Sequence, residues 1–199
     1  MPEQPTHVPE FIIRQKVKLA VNQYRILGVQ PDGTEGELFA FAQQKLFKLK
    51  EEVVFYTDES RTRPLFSFKA RKTLDVHSGV DVLDHEGEPI GYFKKEFARS
   101  LLRSTWTLKA EGLETLGQER SPVIAVVRRL WQFLPFVSDI PAPFPFHFDF
   151  VDNATGKEVM SSTKKFGLRD RYLITVPDRR LDYRVAAAMG VALDALQSR

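Results

Sequence analysis

Between Phe11 and Val176 the chain repeats one local pattern: a short alternating apolar and polar run, a polar turn, and a second alternating run. Tyr24-Arg25-Ile26-Leu27 leads into Pro31-Asp32-Gly33, and Leu38-Phe39-Ala40-Phe41 comes out. Val53-Val54-Phe55-Tyr56 leads into Asp58-Glu59-Ser60, and Leu65-Phe66-Ser67-Phe68 comes out. Short runs rich in Val, Phe and Tyr between Asp/Gly/Pro turns predict β-hairpins. A period of two sends one set of side chains inward and the other to water.

The pattern also echoes itself. Leu38 to Lys45 recurs as Leu65 to Lys72, Val80 to Asp84 as Phe148 to Asp152, and Arg103 to Leu108 as Arg171 to Val176. No single hairpin can bury its own apolar face, so the units must share a core. A barrel or closed sandwich of roughly ten to twelve antiparallel strands follows.

Two segments leave the strand rhythm. Ser121-Pro122 supplies an N-cap and a proline in the first helical position, and Val123 to Leu134 then carries apolar residues at helical spacing. A Pro-rich connector follows, with Pro135, Pro141, Pro143 and Pro145. At the carboxyl end, Asp178 or Asp182 can cap a helix from Tyr183 to Leu196. Its stretch Val185 to Leu193 is apolar on every face and mostly small, which requires enclosure on every face. The run is about half the twenty residues that cross a bilayer, so the expectation is a helix sheathed by strands and not a transmembrane one.

Composition narrows the chemistry. Of 199 residues 43% are hydrophobic and 16 are Phe, enough for a globular core. There is no cysteine, which excludes disulfides, thiolate metal sites and cysteine nucleophiles. The first ten residues hold three prolines and no apolar core, so 1–10 reads as a flexible tail and 11–199 as one domain. The four histidines, His7, His77, His85 and His147, show no metal-ligand spacing. The acidic turn Asp81, Asp84, Glu86, Glu88 breaks the order of a calcium loop and suits turn formation better. No nucleophile elbow and no phosphate loop occur, so no catalytic residue, metal or cofactor is nominated.

Several stretches carry a resemblance. They are Ile13-Arg14-Gln15-Lys16, the run Asp84-His85-Glu86-Gly87-Glu88-Pro89-Ile90-Gly91 followed by Lys94-Lys95, Phe146-His147-Phe148-Asp149-Phe150, and Asp182-Tyr183-Arg184-Val185-Ala186-Ala187-Ala188. Over about Phe11 to Leu196 the chain resembles the LURP-one-related and phospholipid-scramblase-like branch of the tubby carboxyl-terminal-like superfamily, and within it a small actinobacterial group. The resemblance implies a closed twelve-stranded barrel around a central helix, with the helix near 122–134 as an addition. It further implies a lipid-associated or regulatory role, phosphoinositide head groups being bound through basic residues in tubby domains. The chain lacks the cysteine-rich and proline-rich segments of animal scramblases and their acidic calcium segment.

The mild net charge of +3 matters less than where the basic residues fall. Lys45, Lys48 and Lys50, then Lys69, Arg71 and Lys72, then Lys94 and Lys95, then Lys164 and Lys165 all follow the outgoing strand of a hairpin. Equivalent hairpins place these groups at corresponding ends, where they form an anion-binding patch or are ordinary charges that guard strand edges. Arg128, Arg129 and Trp131 offer a membrane or partner docking point, or pack across the barrel.

The expectation is a non-catalytic module for an anionic lipid head group or another phosphate-bearing ligand, cytoplasmic and peripheral at a membrane. The ligand set would be Lys69, Arg71, Lys72, Lys94, Lys95, Lys164 and Lys165. Two alternatives stay open: a protein-interaction scaffold using residues 122–146, and an unrecognised hydrolase. Nucleic acid is not expected, because no aromatic platform is interleaved with the basic residues.

Overall fold

The strands close. A computed structural model describes residues 6–18, 21–45, 52–71, 79–96, 104–123, 147–165 and 171–197. The strands are β1 (Glu10–Val17), β2 (Val21–Val29), β3 (Glu35–Lys45), β4 (Val53–Tyr56), β5 (Pro64–Ala70) and β6 (Val80–Asp84) in the first half. The second half holds β7 (Pro89–Lys95), β8 (Thr105–Ala110), β9 (Leu113–Glu119), β10 (His147–Asp152), β11 (Glu158–Lys165) and β12 (Arg171–Thr175). Each pairs antiparallel with its neighbours in sequence, and β1 pairs with β12 to shut the barrel. The twelve-stranded reading holds.

The bore is filled by the terminal helix, Tyr183–Gln197. Twelve strands enclose a space too wide for side chains alone to fill, and a helix of about 10 Å diameter suits it. Val185 through Leu193 lie at the bottom of the exposure scale, buried on all sides among inward-facing Phe11, Ile13, Tyr24, Phe66, Phe93, Leu108, Phe148 and Ile174. Small residues allow close approach. A Cβ on Gly190 would stand 2.4 Å from Ile13 Cδ1, and one on Gly91 in β7 would stand 2.7 Å from Val185 Cγ2. Aromatic contacts run across neighbouring strands to the helix: Phe55 stacks on Phe66 at 4.2 Å, and Phe66 meets Tyr183 edge-on at 6.3 Å.

The two rims differ. Where β2, β4, β6 and β10 end, short turns are set by aspartates whose Oδ1 accepts the backbone N–H two residues on. Asp32 takes Thr34, Asp58 takes Ser60, Asp84 takes Glu86, and Asp152 takes Ala154, at 2.8–2.9 Å. The same device turns the chain into the helix. Asp178 takes Arg180 N–H at 3.0 Å, and Asp182, the true N-cap, takes Arg184 N–H at 2.8 Å. The Asp84 carboxylate also accepts the Glu88 N–H at 2.9 Å, so it is spent on its turn. Ahead of β1, Thr6 O accepts the Tyr183 N–H and Pro9 O the Val176 N–H. Pro122 and Val123 have helical backbone; the rest of the expected helix and the Pro-rich connector lie outside the described residues.

The helix enters at this turn rim and ends toward the opposite one, where Asp194 is 1% exposed. Tyr24 from β2 donates to Asp194 Oδ2 at 2.9 Å, and Tyr172 from β12 donates to Oδ1. Burial, then the neighbouring carboxylate, pushes the Tyr24 phenol far above its ordinary value, and burial pushes Tyr183 up to about 12.

Enclosure makes Ala188→Glu a decisive variant. An unpaired charge there costs on the order of several kcal/mol, so far-UV circular dichroism should show loss of the fold, whereas a normally folded variant would sink the central-helix reading. Alkali gives a second test. Below the ordinary tyrosine value of 10.0 both states hold the phenolic protons and stability is flat with pH. Above it the unfolded chain releases protons that Tyr24 and Tyr183 retain, so the urea midpoint should fall, by up to about 1.4 kcal/mol per pH unit for each tyrosine. Tyr183→Phe should make that fall shallower.

Candidate functional site

Of the expected ligand set, Lys69, Arg71, Lys94, Lys95, Lys164 and Lys165 lie at or next to the ends of β5, β7 and β11, and strand alternation divides them. Lys95 lies two residues beyond buried Phe93 and turns inward, its Nζ 5.7 Å from the centre of the Trp106 ring. Lys164 lies two beyond buried Ser162 and turns inward as well, its Nζ 5.5 Å from the Tyr172 ring. Both rest on aromatic faces at the barrel mouth. Lys69, Lys94 and Lys165 point outward. Arg71 stacks on Tyr92 at 4.3 Å and grips Asp81 through Nε and Nη2, which raises its pKa. Lys72, Arg128, Arg129 and Trp131 lie outside the described residues, as does most of the 122–146 surface.

Of the expected ligand set only Lys165 belongs to the strongest charge feature among the described residues. Lys165 on β11 stands opposite Arg171 on β12, Arg171 opposite Arg14 on β1, and Arg14 opposite Arg25 on β2. These residues alternate with buried Tyr172, Ile13, Tyr24 and Ile26, so all four side chains face out. They form one transverse row spanning roughly 14 Å, three strand spacings. Lys16, two residues beyond Arg14, adds a fifth cation. Against them stand Glu35, which meets Arg14 at 2.8 Å and Arg171 at 3.4 Å, and Glu59, which meets Arg25. Among the described residues, five cations face two carboxylates.

Directly opposed like charges destabilise a ladder, and Glu35 and Glu59 offset that repulsion in part. Edge protection does not explain it, since β1 and β12 pair with each other and leave no edge there. The cleft between Arg14, Lys16, Gln23 and Arg25 holds only about 70 Å³. Among the described residues this cleft is the one concavity found between the row's side chains, and it is shallow.

A larger groove of about 630 Å³ lies against β6, β7 and β8 and the segment before the helix. Most of its cations are already matched. Besides Arg71 with Asp81, Lys109 holds Glu114 at 2.9 Å, Arg184 holds Asp182 at 2.6 Å, and Arg180 holds Asp152 at 2.6 Å and Asp178 at 2.7 Å. Arg179 and Glu111 also line it. The groove mixes apolar and charged lining, and most of its cations are held in ion pairs.

His147 turns away from buried Phe148 as its alternation requires, and partial burial, then the Arg120 charge, lowers its pKa. Among the described residues no group of three or more His, Asp or Glu is arranged to hold a metal ion.

The LURP-one-related family model matches residues 39–194, from within β3 to within the terminal helix. No curated protein matches the chain.

The row predicts an unusual salt response. Screening should relieve repulsion along it, so the thermal midpoint should rise between about 20 mM and about 200 mM salt. Lys165→Thr removes one opposed pair and should stabilise by about 0.2–1 kcal/mol while flattening that rise. A lower midpoint for this variant at low salt would mean that the row is not strained.

Proposed function

Because the chain belongs to the LURP-one-related family, we propose that it is a non-catalytic binding module that docks on an anionic membrane surface through lipid phosphates. The observation that carries this reading is the outward row Lys165, Arg171, Arg14 and Arg25, with its excess of positive charge. The repulsion that Glu35 and Glu59 leave along the row is relieved when an external anion binds, so that cost in the free protein becomes affinity in the complex. The shape agrees, because a shallow convex face meets a surface and does not enclose a small molecule. Lys69 on β5 and Lys94 on β7 point out from the other side of the barrel and take no part in this face, while Lys95 and Lys164 rest on aromatic rings at the mouth.

Among the described residues no helix is long and apolar enough to cross a membrane. The protein would act from the cytoplasm as a peripheral module, reversibly and in a salt-dependent way. Each Lys or Arg held near an anionic membrane contributes about 1 kcal/mol.

Vesicle co-sedimentation tests the reading. Phosphatidylcholine vesicles containing phosphatidylserine should retain the protein at low salt, pure phosphatidylcholine vesicles should not, and binding should fall as salt rises to about 300 mM. Replacing Arg14 and Arg171 together by Gln should weaken anionic-vesicle partition about thirtyfold, two contacts at about 1 kcal/mol each. Equal binding to neutral and anionic vesicles at low salt would remove the proposal.

A further inference from the structure

Glu35, the carboxylate that interrupts the row, comes from a strand that borders neither β1 nor β12. It opens β3 just past the β2–β3 turn, opposite Val29. Its two oxygens are nonetheless divided between the two central arginines: Oε2 accepts from Arg14 Nη1 at 2.8 Å, and Oε1 lies 3.4 Å from Arg171 Nε. The hairpin is shaped for this reach. Its ladder shifts register twice, between Ile26 and Leu27 and between Leu27 and Val29, and each shift bends the strand. The turn is braced by the Gln30 N–H on Thr34 O at 2.9 Å and by the Gln30 side-chain amide on Glu35 O at 3.0 Å. Gly36 passes so close to Gly28 that an added Cβ would lie 3.2 Å from the Gly28 carbonyl oxygen.

Arg14 and Arg171 thus form a two-guanidinium anion clamp that already holds a carboxylate of the same chain. We propose that Glu35 is a built-in competitor, displaced when a phosphate group docks, and that it sets the affinity threshold of the cationic face. This rests on the anionic-surface reading above and names the residue that regulates it. A lone carboxylate ligand would only replace like with like. A phosphate monoester brings more charge and three acceptor oxygens, and a dense lipid surface brings many anions at once, so both outcompete a single glutamate.

The test compares three variants on vesicles of phosphatidylcholine with phosphatidic acid, whose head group is a phosphate monoester, after circular dichroism confirms folding. Glu35→Gln should bind about threefold more tightly than the natural chain, the worth of one exposed ion pair. Glu35→Asp keeps the net charge but shortens the reach, and it should also bind more tightly. Glu37→Gln removes the same charge from an exposed neighbour on β3 and should change binding by less than half as much. Inorganic pyrophosphate is the second probe. If it competes with the vesicles, the clamp recognises phosphate itself; if it does not while Glu35→Gln still gains, the clamp recognises the lipid surface. If Glu35→Gln and Glu37→Gln behave alike, or Glu35→Asp binds no better than the natural chain, the competitor role is overturned and the membrane reading survives. If no form prefers anionic vesicles, both fall.

Discussion

The structure depends on a mutual requirement between the strands and the terminal helix. Val185 to Leu193 is apolar all round, so it is stable only where no face meets water. The hairpins have apolar inner faces that twelve strands cannot bring together without something in the bore. Small residues reconcile the two, because Ala186, Ala187, Ala188 and Gly190 let the backbone come near the surrounding strands. A larger set would force the barrel open, and an emptier bore would leave cavities.

That requirement explains what was legible in the sequence. Strand alternation, Asp-centred turns and an apolar helix of half-membrane length are local signals, and each names its element without knowledge of partners. Asp32, Asp58 and Asp84 could be read as turn residues because the side chain closes on its own backbone two residues away. The choice between Asp178 and Asp182 could not be made locally. Both carboxylates take an N–H two residues on, and only Asp182 does so at the helix start.

The cationic face shows where local reading ends. Lys94-Lys95 and Lys164-Lys165 look like paired charges in sequence, yet alternation sends one of each pair inside to an aromatic ring. The row itself depends on closure. Arg14 and Arg171 come from opposite ends of the chain and become neighbours only when β1 meets β12. Ile13-Arg14-Gln15-Lys16 held part of the signal, but nothing in it revealed which strand would lie alongside. Glu35 was harder still, because its reach depends on two register shifts in one hairpin.

Interior and surface meet at the end of the helix. Asp194 takes hydrogen bonds from Tyr24 and Tyr172, and the next residue on β2 is Arg25 while the one before on β12 is Arg171. Inward phenols and outward guanidiniums alternate on the same two strands, so fixing the former fixes the latter. Gln15 on β1 extends the arrangement: it faces Tyr24 inside, its amide 3.4 Å from the phenol, and is flanked by outward Arg14 and Lys16. A buried carboxylate is costly unless hydrogen-bonded, and here it is held by donors from the two strands that flank β1. The helix therefore does more than fill the bore. Its last turns hold β2 and β12 at the spacing on which the row of cations, and the clamp around Glu35, depend.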